Sequence, residues 1–319
     1  MCVLGPNYMP VQVSALFVRK HLEFDLYQEI GGKPQLFKSK NFPLMKLDLK
    51  SLERRGCEVL YIAAAHKGTF IDVLSENLTN VLGDKTISIS NKFTVLSQLS
   101  EAVLFDVFQT PTSRDVINRA VRQCEHHVTF ASDGPEAQKA LAGSKSGSPF
   151  PIAHALAVSN YSILLGFRCG IESSEDLRSL GVGALLHEVG KTIIDPNYYM
   201  RPGKQTPITN TRLRNYPKIG RDMMSKTGVV PSSALKPIVE HQERLDGSGY
   251  PSQLSGKQIS TTSRIVAICD AYDEAVHLPN NGEGISPFKV LRRMRFDTGK
   301  FDDGILVEFI KMLGEDFSN

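Results

Sequence analysis

Apolar and polar residues change their spacing twice along the chain, and those changes predict its organisation. The stretch "ALFVRKHLEFDLYQEIGGKPQLFKSKNF" holds two runs of strand-forming residues separated by Gly31-Gly32, a pair suited to the positive φ angles of a tight hairpin. A short helix over about 48–55 and a buried strand in "EVLYIAA" complete a small α+β region. From Lys67 the apolar spacing turns helical, in "FIDVLSENLTNVLG", in "KFTVLSQLSEAVLFDVF" and, beyond Pro111, in "SRDVINRAVRQCEHH". The segment "ALAGSKSGSPFP" (140–151) has no periodicity and reads as a linker. Almost everything after it predicts helix. Pro151 opens one over about 151–166, Ser173 or Ser174 caps another, and more fit about 211–226, 232–243, 260–277, 285–297 and 302–314. The expected fold is mainly α, with an α+β N-terminal domain over 1–140 and an all-helical domain over 150–319.

Several polar residues of the second half fall on apolar stripes. In "GVGALLHEVGK" (181–191), His187 and Glu188 share the face of Leu177, Leu180 and Ala184. His154 lies with Val158, Tyr161 and Leu165, His241 with Ala234 and Ile238, and Asp270 follows Val266. One such residue is ordinarily a satisfied core group. An unpaired buried carboxylate costs several kcal/mol, so four cases in one helical domain call for partners, either each other or a metal ion. Imidazoles and carboxylates converging from separate helices suit iron, manganese or zinc.

Composition narrows the functional classes. A charged content of 22% and a hydrophobic content of 41% fit a globular chain, and a net charge of +3 is too small to point to nucleic acid. No apolar run suggests a membrane span and the N-terminus lacks a secretory pattern, so a cytoplasmic location is expected. The five cysteines are scattered and show no C-x-x-C pair, which argues against a disulfide framework or a zinc ribbon. A homo-oligomer is compatible with this composition. The pair His126-His127 reads as a solvated helix end, and Arg201 and Lys204 in "MRPGKQT" as either flanks of an anionic ligand or a solvated loop.

The order His154, "HEVGK", "HQERLDGSGYP" (241–251) and "RIVAICDAYD" (264–273) resembles the HD-GYP family of the HD phosphohydrolase superfamily. The resemblance covers roughly 150–315, with a weaker match of the preceding segment to the region found ahead of some HD-GYP domains. It implies a helical domain that holds two or three iron or manganese ions and hydrolyses cyclic di-GMP, the metals activating water and holding the phosphate. Carried over, the metal ligands are His154, His187, Glu188, His241 and Asp270. Glu188 stands in the HD pair, Lys191 is the phosphate-facing lysine, and Arg201 and Tyr250 are substrate-side candidates. The resemblance also implies that the GYP turn, at Tyr250-Pro251, is a candidate docking surface for diguanylate cyclase domains.

Four departures bear on activity. Glu188 replaces the family Asp; Tyr216, in "NYPKIG", replaces a His; Gln242 replaces the second His of His-His-Glu; and "HLPNNGEG" (277–284) lacks the family's arginine. A phenol with a pKa near 10 is a poor ligand at neutral pH. His154, His187, Glu188 and Asp270 therefore make one expected site, while a second ion keeps only His241 and a share of the bridging carboxylate. Of three readings, a phosphodiesterase, a binding module with a degenerate metal site and weak or absent hydrolysis, and a metal-free helical interaction domain, the sequence favours the second.

Overall fold

The computed structural model describes residues 4–5, 7–13, 16, 22–144, 146, 148–195, 213–277, 286–297 and 299–316. They form 13 α-helices and one four-stranded sheet, and their contacts gather into two compact units, Met1–Leu99 and Ser100–Asn319. The protein is mainly α, with an α+β region ahead of a helical one.

The first unit holds β1 (Tyr8–Gln12), β2 (Leu26–Ile30), β3 (Lys33–Lys38), α1 (Lys46–Arg54), β4 (Val59–Ala63) and α2 (Lys67–Gly83). The antiparallel sheet runs β1-β4-β2-β3. Gly31 and Gly32 turn the expected hairpin at φ of 61° and 77°, values that a side chain would disfavour. Leu26, Leu52, Leu60 and Ile62 are fully buried in its core, and Phe24 packs edge-on against Phe70.

Helix α3 (Ile89–Gln109) crosses the division between the units. The second unit follows with α4 (Arg114–Ala131), α5 (Pro135–Ala142), α6 (Phe150–Arg168), α7 (Ser174–Leu185), α8 (Lys191–Ile194), α9 (Tyr216–Thr227), α10 (Leu235–Glu240), α11 (Thr261–His277), α12 (Pro287–Phe296) and α13 (Asp303–Asp316). Helix α6 is its hub, packed by α4, α5, α7, α11 and α13. Helix α6 is long and apolar enough to cross a membrane, contrary to the reading that no apolar run is long enough. Its buried His154 and Asn160, and its cover of neighbouring helices, mark it as a core helix instead.

Ser173 caps α7 as expected, its hydroxyl accepting from the Asp176 amide. Other ends differ from the periodic pattern. The helix expected over 232–243 is a 3₁₀ turn at Ser232–Ala234 followed by α10, and α9 begins only at Tyr216, with Pro217 in its first turn where no amide hydrogen is needed. Helices α4 and α5, expected with the N-terminal domain, pack on α6 and α7. His127 is correspondingly not solvated. It is 5% exposed, with Nε2 2.7 Å from Ser100 Oγ and Nδ1 2.6 Å from Asn160 Oδ1 of α6. Cys57, Cys124, Cys169 and Cys269 are free thiols.

Candidate metal centre

Two histidines of the second unit stand just beyond the ends of helices, and the same local device aims both. Helix α7 ends at Leu185, so His187 and Glu188 occupy a turn rather than the continuous helix expected from the sequence. His187 Nδ1 donates to the carbonyl of Ala184, three residues back, at 2.6 Å. His241 follows the last residue of α10 and donates Nδ1 to the carbonyl of Ile238 at 3.0 Å, again three residues back. Unpaired carbonyls at a helix end are thus satisfied by imidazole N–H groups. With Nδ1 turned to these carbonyls, each Nε2 faces inward, where it offers a lone pair whenever it carries no proton.

His154, on α6, is set by a carboxylate instead. Its Nδ1 donates to Asp273 Oδ2 of α11 at 2.7 Å. Its Nε2 then lies 3.2 Å from His187 Nε2 and 3.1 Å from Asp270 Oδ1, and His187 Nε2 lies 3.4 Å from that same oxygen. All three residues are at most 1% exposed. Metal–ligand bonds of about 2.0–2.2 Å put neighbouring ligand atoms about 3.0 Å apart at octahedral angles and about 3.4 Å apart at tetrahedral ones, a range this triangle matches. Two imidazole Nε2 atoms and a carboxylate oxygen packed this closely need a positive centre among them, which a proton on His154 or a bound divalent ion supplies. The donor set fits a borderline divalent ion.

The remaining expected ligands have other partners. Glu188, 4% exposed, lies outside the triangle, and its Oε1 is held by the Lys191 ammonium. His241 Nε2 accepts a hydrogen bond from the Tyr216 hydroxyl at 2.6 Å. Gln242 donates its amide to Asp270 Oδ2 at 2.7 Å, so it orients the carboxylate. Arg201 and Lys204 lie outside the described residues, as does most of 277–284.

Charge around the triangle follows from these contacts. Burial opposes a proton on His154, but hydrogen bonds to Asp270 and Asp273, with the Glu188 carboxylate nearby, hold its pKa well above the usual histidine value. Burial raises Asp270, yet the His154 and His187 hydrogen bonds and charges take it well below the usual carboxylate range. Burial also opposes ionisation of Glu188, and Lys191, His154 and His187 overcome it, bringing its pKa to about 2. At His241, burial and the His187 charge push the value down to about 3, while burial and the neighbouring Tyr250 drive the Tyr216 phenol well above 10. The proton between Tyr216 and His241 therefore stays on the phenol.

The turn after His241 is anchored through Glu243. Its buried carboxylate accepts from the amides of Ser252 at 2.6 Å and Leu254 at 3.0 Å, and the Tyr250 amide donates to the Gln242 carbonyl at 3.2 Å. Gly249 passes so close that an added Cβ would lie 2.4 Å from Glu243 Cα. These contacts fix Tyr250 beside Tyr216, their ring centroids 6.5 Å apart. Sequence reading missed Asp273, which orients His154, and Glu274, a largely buried acid whose pKa is raised by burial and by the Asp270 charge. An acidic residue on the buried face three positions after Asp270 was the available signal.

Fold and triangle together define a protein class. The family profile described as HD domain matches residues 145–305, half of the chain, and families of this kind are metal-dependent. The chain is 28% identical over 224 residues to cyclic di-GMP phosphodiesterase PA4108 of Pseudomonas aeruginosa, covering 70% of this chain and 52% of that one. It is 36% identical over 103 residues to the cyclic di-GMP phosphodiesterase response regulator RpfG of Xanthomonas campestris pv. campestris, covering 32% of this chain and 27% of that one. It thus spans about half the length of the first relative and about a quarter of the second. Among solved structures, Bd1817, an HDG"Y"P protein from Bdellovibrio bacteriovorus, shares the fold with a TM-score of 0.68 at 20% identity, covering 97% of this chain and 100% of that one. The chain belongs to the HD-GYP family of HD-domain proteins.

Proposed function

We propose that this chain is a cyclic di-GMP signalling protein of HD-GYP type that acts in the cytoplasm, holds one iron or manganese ion, and hydrolyses the nucleotide slowly or not at all. Zinc suits the same donors. The observation that carries this reading is the closure of His241 Nε2 by the Tyr216 hydroxyl at 2.6 Å, which occupies the donor a second ion would need. Support for the nucleotide comes from the names of the curated relatives, which are cyclic di-GMP phosphodiesterases.

His154, His187 and Asp270 would hold the ion, with Asp273 and Gln242 fixing their orientation. A bound ion supplies Lewis acidity and neutralises charge on a phosphate. Lys191, steadied by Glu188, offers a cation to a phosphate oxygen, and Tyr250 borders the same space. The clamped turn at Tyr250-Pro251 would serve as the docking surface for a diguanylate cyclase domain.

The test loads purified protein anaerobically with iron or manganese, counts the metal and assays cyclic di-GMP hydrolysis, alongside a variant carrying Tyr216→His and Gln242→His. One equivalent per chain is expected in the unmodified protein. Restoring the second ion should raise turnover by about a hundredfold, since each ion supplies several kcal/mol of charge stabilisation. Two equivalents with undiminished turnover in the unmodified protein would establish the phosphodiesterase reading instead.

A further inference from the structure

A cation, two phenol rings and a second cation are linked by successive contacts that begin at the Lys191 partner of Glu188. Lys191 Nζ lies 4.9 Å from the centre of the Tyr216 ring. The Tyr216 and Tyr250 rings meet edge to face at 70°. The Arg214 guanidinium carbon then lies 5.7 Å from the centre of the Tyr250 ring. Lys191 is buried against Glu188 at the inner end, and Arg214 is exposed at the outer end.

Both outer members are held firmly. Arg214 sits in the 3₁₀ turn Leu213–Asn215, two residues before Tyr216, and Tyr250 belongs to the turn clamped by Glu243. Among the described residues Arg214 has no carboxylate partner within salt-bridge distance. Arg244, also near Tyr250, is engaged differently: it donates to the carbonyls of His241 and Glu243 and covers the Phe301 ring at 5.1 Å. Arg214 is thus a guanidinium laid on an aromatic ring, with no acid to neutralise it, in a site whose other nearby groups are largely acidic. A guanidinium resting on a ring keeps its N–H edge open to a pair of oxygens.

The geometry points to Arg214, supported on Tyr250, as a substrate-binding residue that takes a phosphodiester of the cyclic dinucleotide at the outer end of the site. It replaces the arginine that 277–284 lacks. The inference rests on the nucleotide reading above and adds a residue to it.

The test is calorimetric titration of the metal-loaded full chain with cyclic di-GMP, comparing the unmodified protein with Arg214→Ala and Arg214→Lys. Loss of a charge-assisted contact should weaken binding by about tenfold in Arg214→Ala, while Arg214→Lys, which keeps the charge but loses the planar two-donor edge and its seat on the ring, should weaken it by an intermediate factor of about three. The thermal midpoint should not move in either variant, because the side chain is exposed. Binding by Arg214→Ala equal to the unmodified protein would overturn the assignment alone. Loss in Arg214→Lys as large as in Arg214→Ala would also overturn it, moving the contact from phosphate charge to the planar edge of a base. Absence of binding by the unmodified protein would overturn the nucleotide reading itself.

Discussion

His127 and His154 are both buried imidazoles on helices, yet their surroundings shift their protons in opposite directions. His127 faces Ser100 and Asn160, which are neutral, and burial lowers its pKa from 6.5 to about 4 despite help from the Asn160 hydrogen bond. His154 faces Asp270 and Asp273. The unfolded chain protonates His127 near pH 6.5, so its neutral state contributes stability that is complete above that pH and falls away towards pH 4. The full swing is about 3 kcal/mol by order of magnitude. A His127→Gln variant should therefore lose stability near pH 7.5 but show a shallower decline between pH 6.5 and 4 in urea titrations; an unchanged slope would remove His127 as its source. Sequence alone set the two histidines apart on the wrong ground, reading His127 as part of a solvated helix end and His154 as a ligand on a buried stripe, whereas both are buried. The partner that defines His154 lies 119 residues away on α11, and only the fold shows that Asp273 reaches it. Removing that partner by Asp273→Asn should weaken metal binding by about 10- to 100-fold in competition with a chelator, because the carboxylate sets the ring's orientation and basicity. Equal affinity in the variant would mean that α6 holds the ring without it.

At the scale of elements, helix ends place the chemistry more than helix faces do. The stripe carrying Leu177, Leu180 and Ala184 correctly marked the buried side of α7, and most helices were legible from their 3.6-residue spacing. That spacing did not show where α7 and α10 stop, because the stop is imposed by packing. Gly190 shows how tightly the turn beyond α7 is packed. A Cβ there would lie 2.1 Å from the Tyr216 carbonyl oxygen and 2.7 Å from the Gly220 amide nitrogen, so the turn bearing His187 and the start of α9 touch backbone to backbone. Neither neighbour is a flexible side chain that could swing aside. Gly190→Ala should therefore cost about 1–3 kcal/mol or more through a forced backbone shift. It should also displace Tyr216 from His241. Gly68→Ala, in α2 where nothing lies within 4 Å of an added Cβ, serves as the control and should be nearly neutral. Thermal unfolding of the two variants measures the difference, and equal midpoints would show that α9 slides away without cost.

The whole molecule divides by contact inside α3, whereas the sequence signal of a break lies at 140–151, rich in Gly, Ser and Pro. Composition reports where a chain lacks periodicity, not which helices lean on which, and α5 ends at Ala142 before that stretch begins in earnest. Helix α4 makes the difference consequential. Ile117, Val121, Cys124, Val128 and Phe130 on it are buried, and it packs against α7, α5 and α6, with the His127–Asn160 hydrogen bond among the contacts. Burying a large apolar side chain contributes about 1.5–3 kcal/mol, so four or five of them amount to about 6–15 kcal/mol, comparable with the entire 5–15 kcal/mol that stabilises a typical domain. A fragment starting at residue 150, although it spans nearly all of the HD-domain match, loses this cover and leaves Asn160 without its buried partner. It should be unfolded or aggregated at 25 °C. A fragment starting at residue 89 keeps α3 whole and retains α4 and α5, and should unfold in one cooperative transition. Urea denaturation followed by circular dichroism and light scattering distinguishes them. A monomeric, cooperatively folding fragment from residue 150 would show that α4 and α5 are accessory to the helical unit. Collapse of both fragments would place part of its support before residue 89.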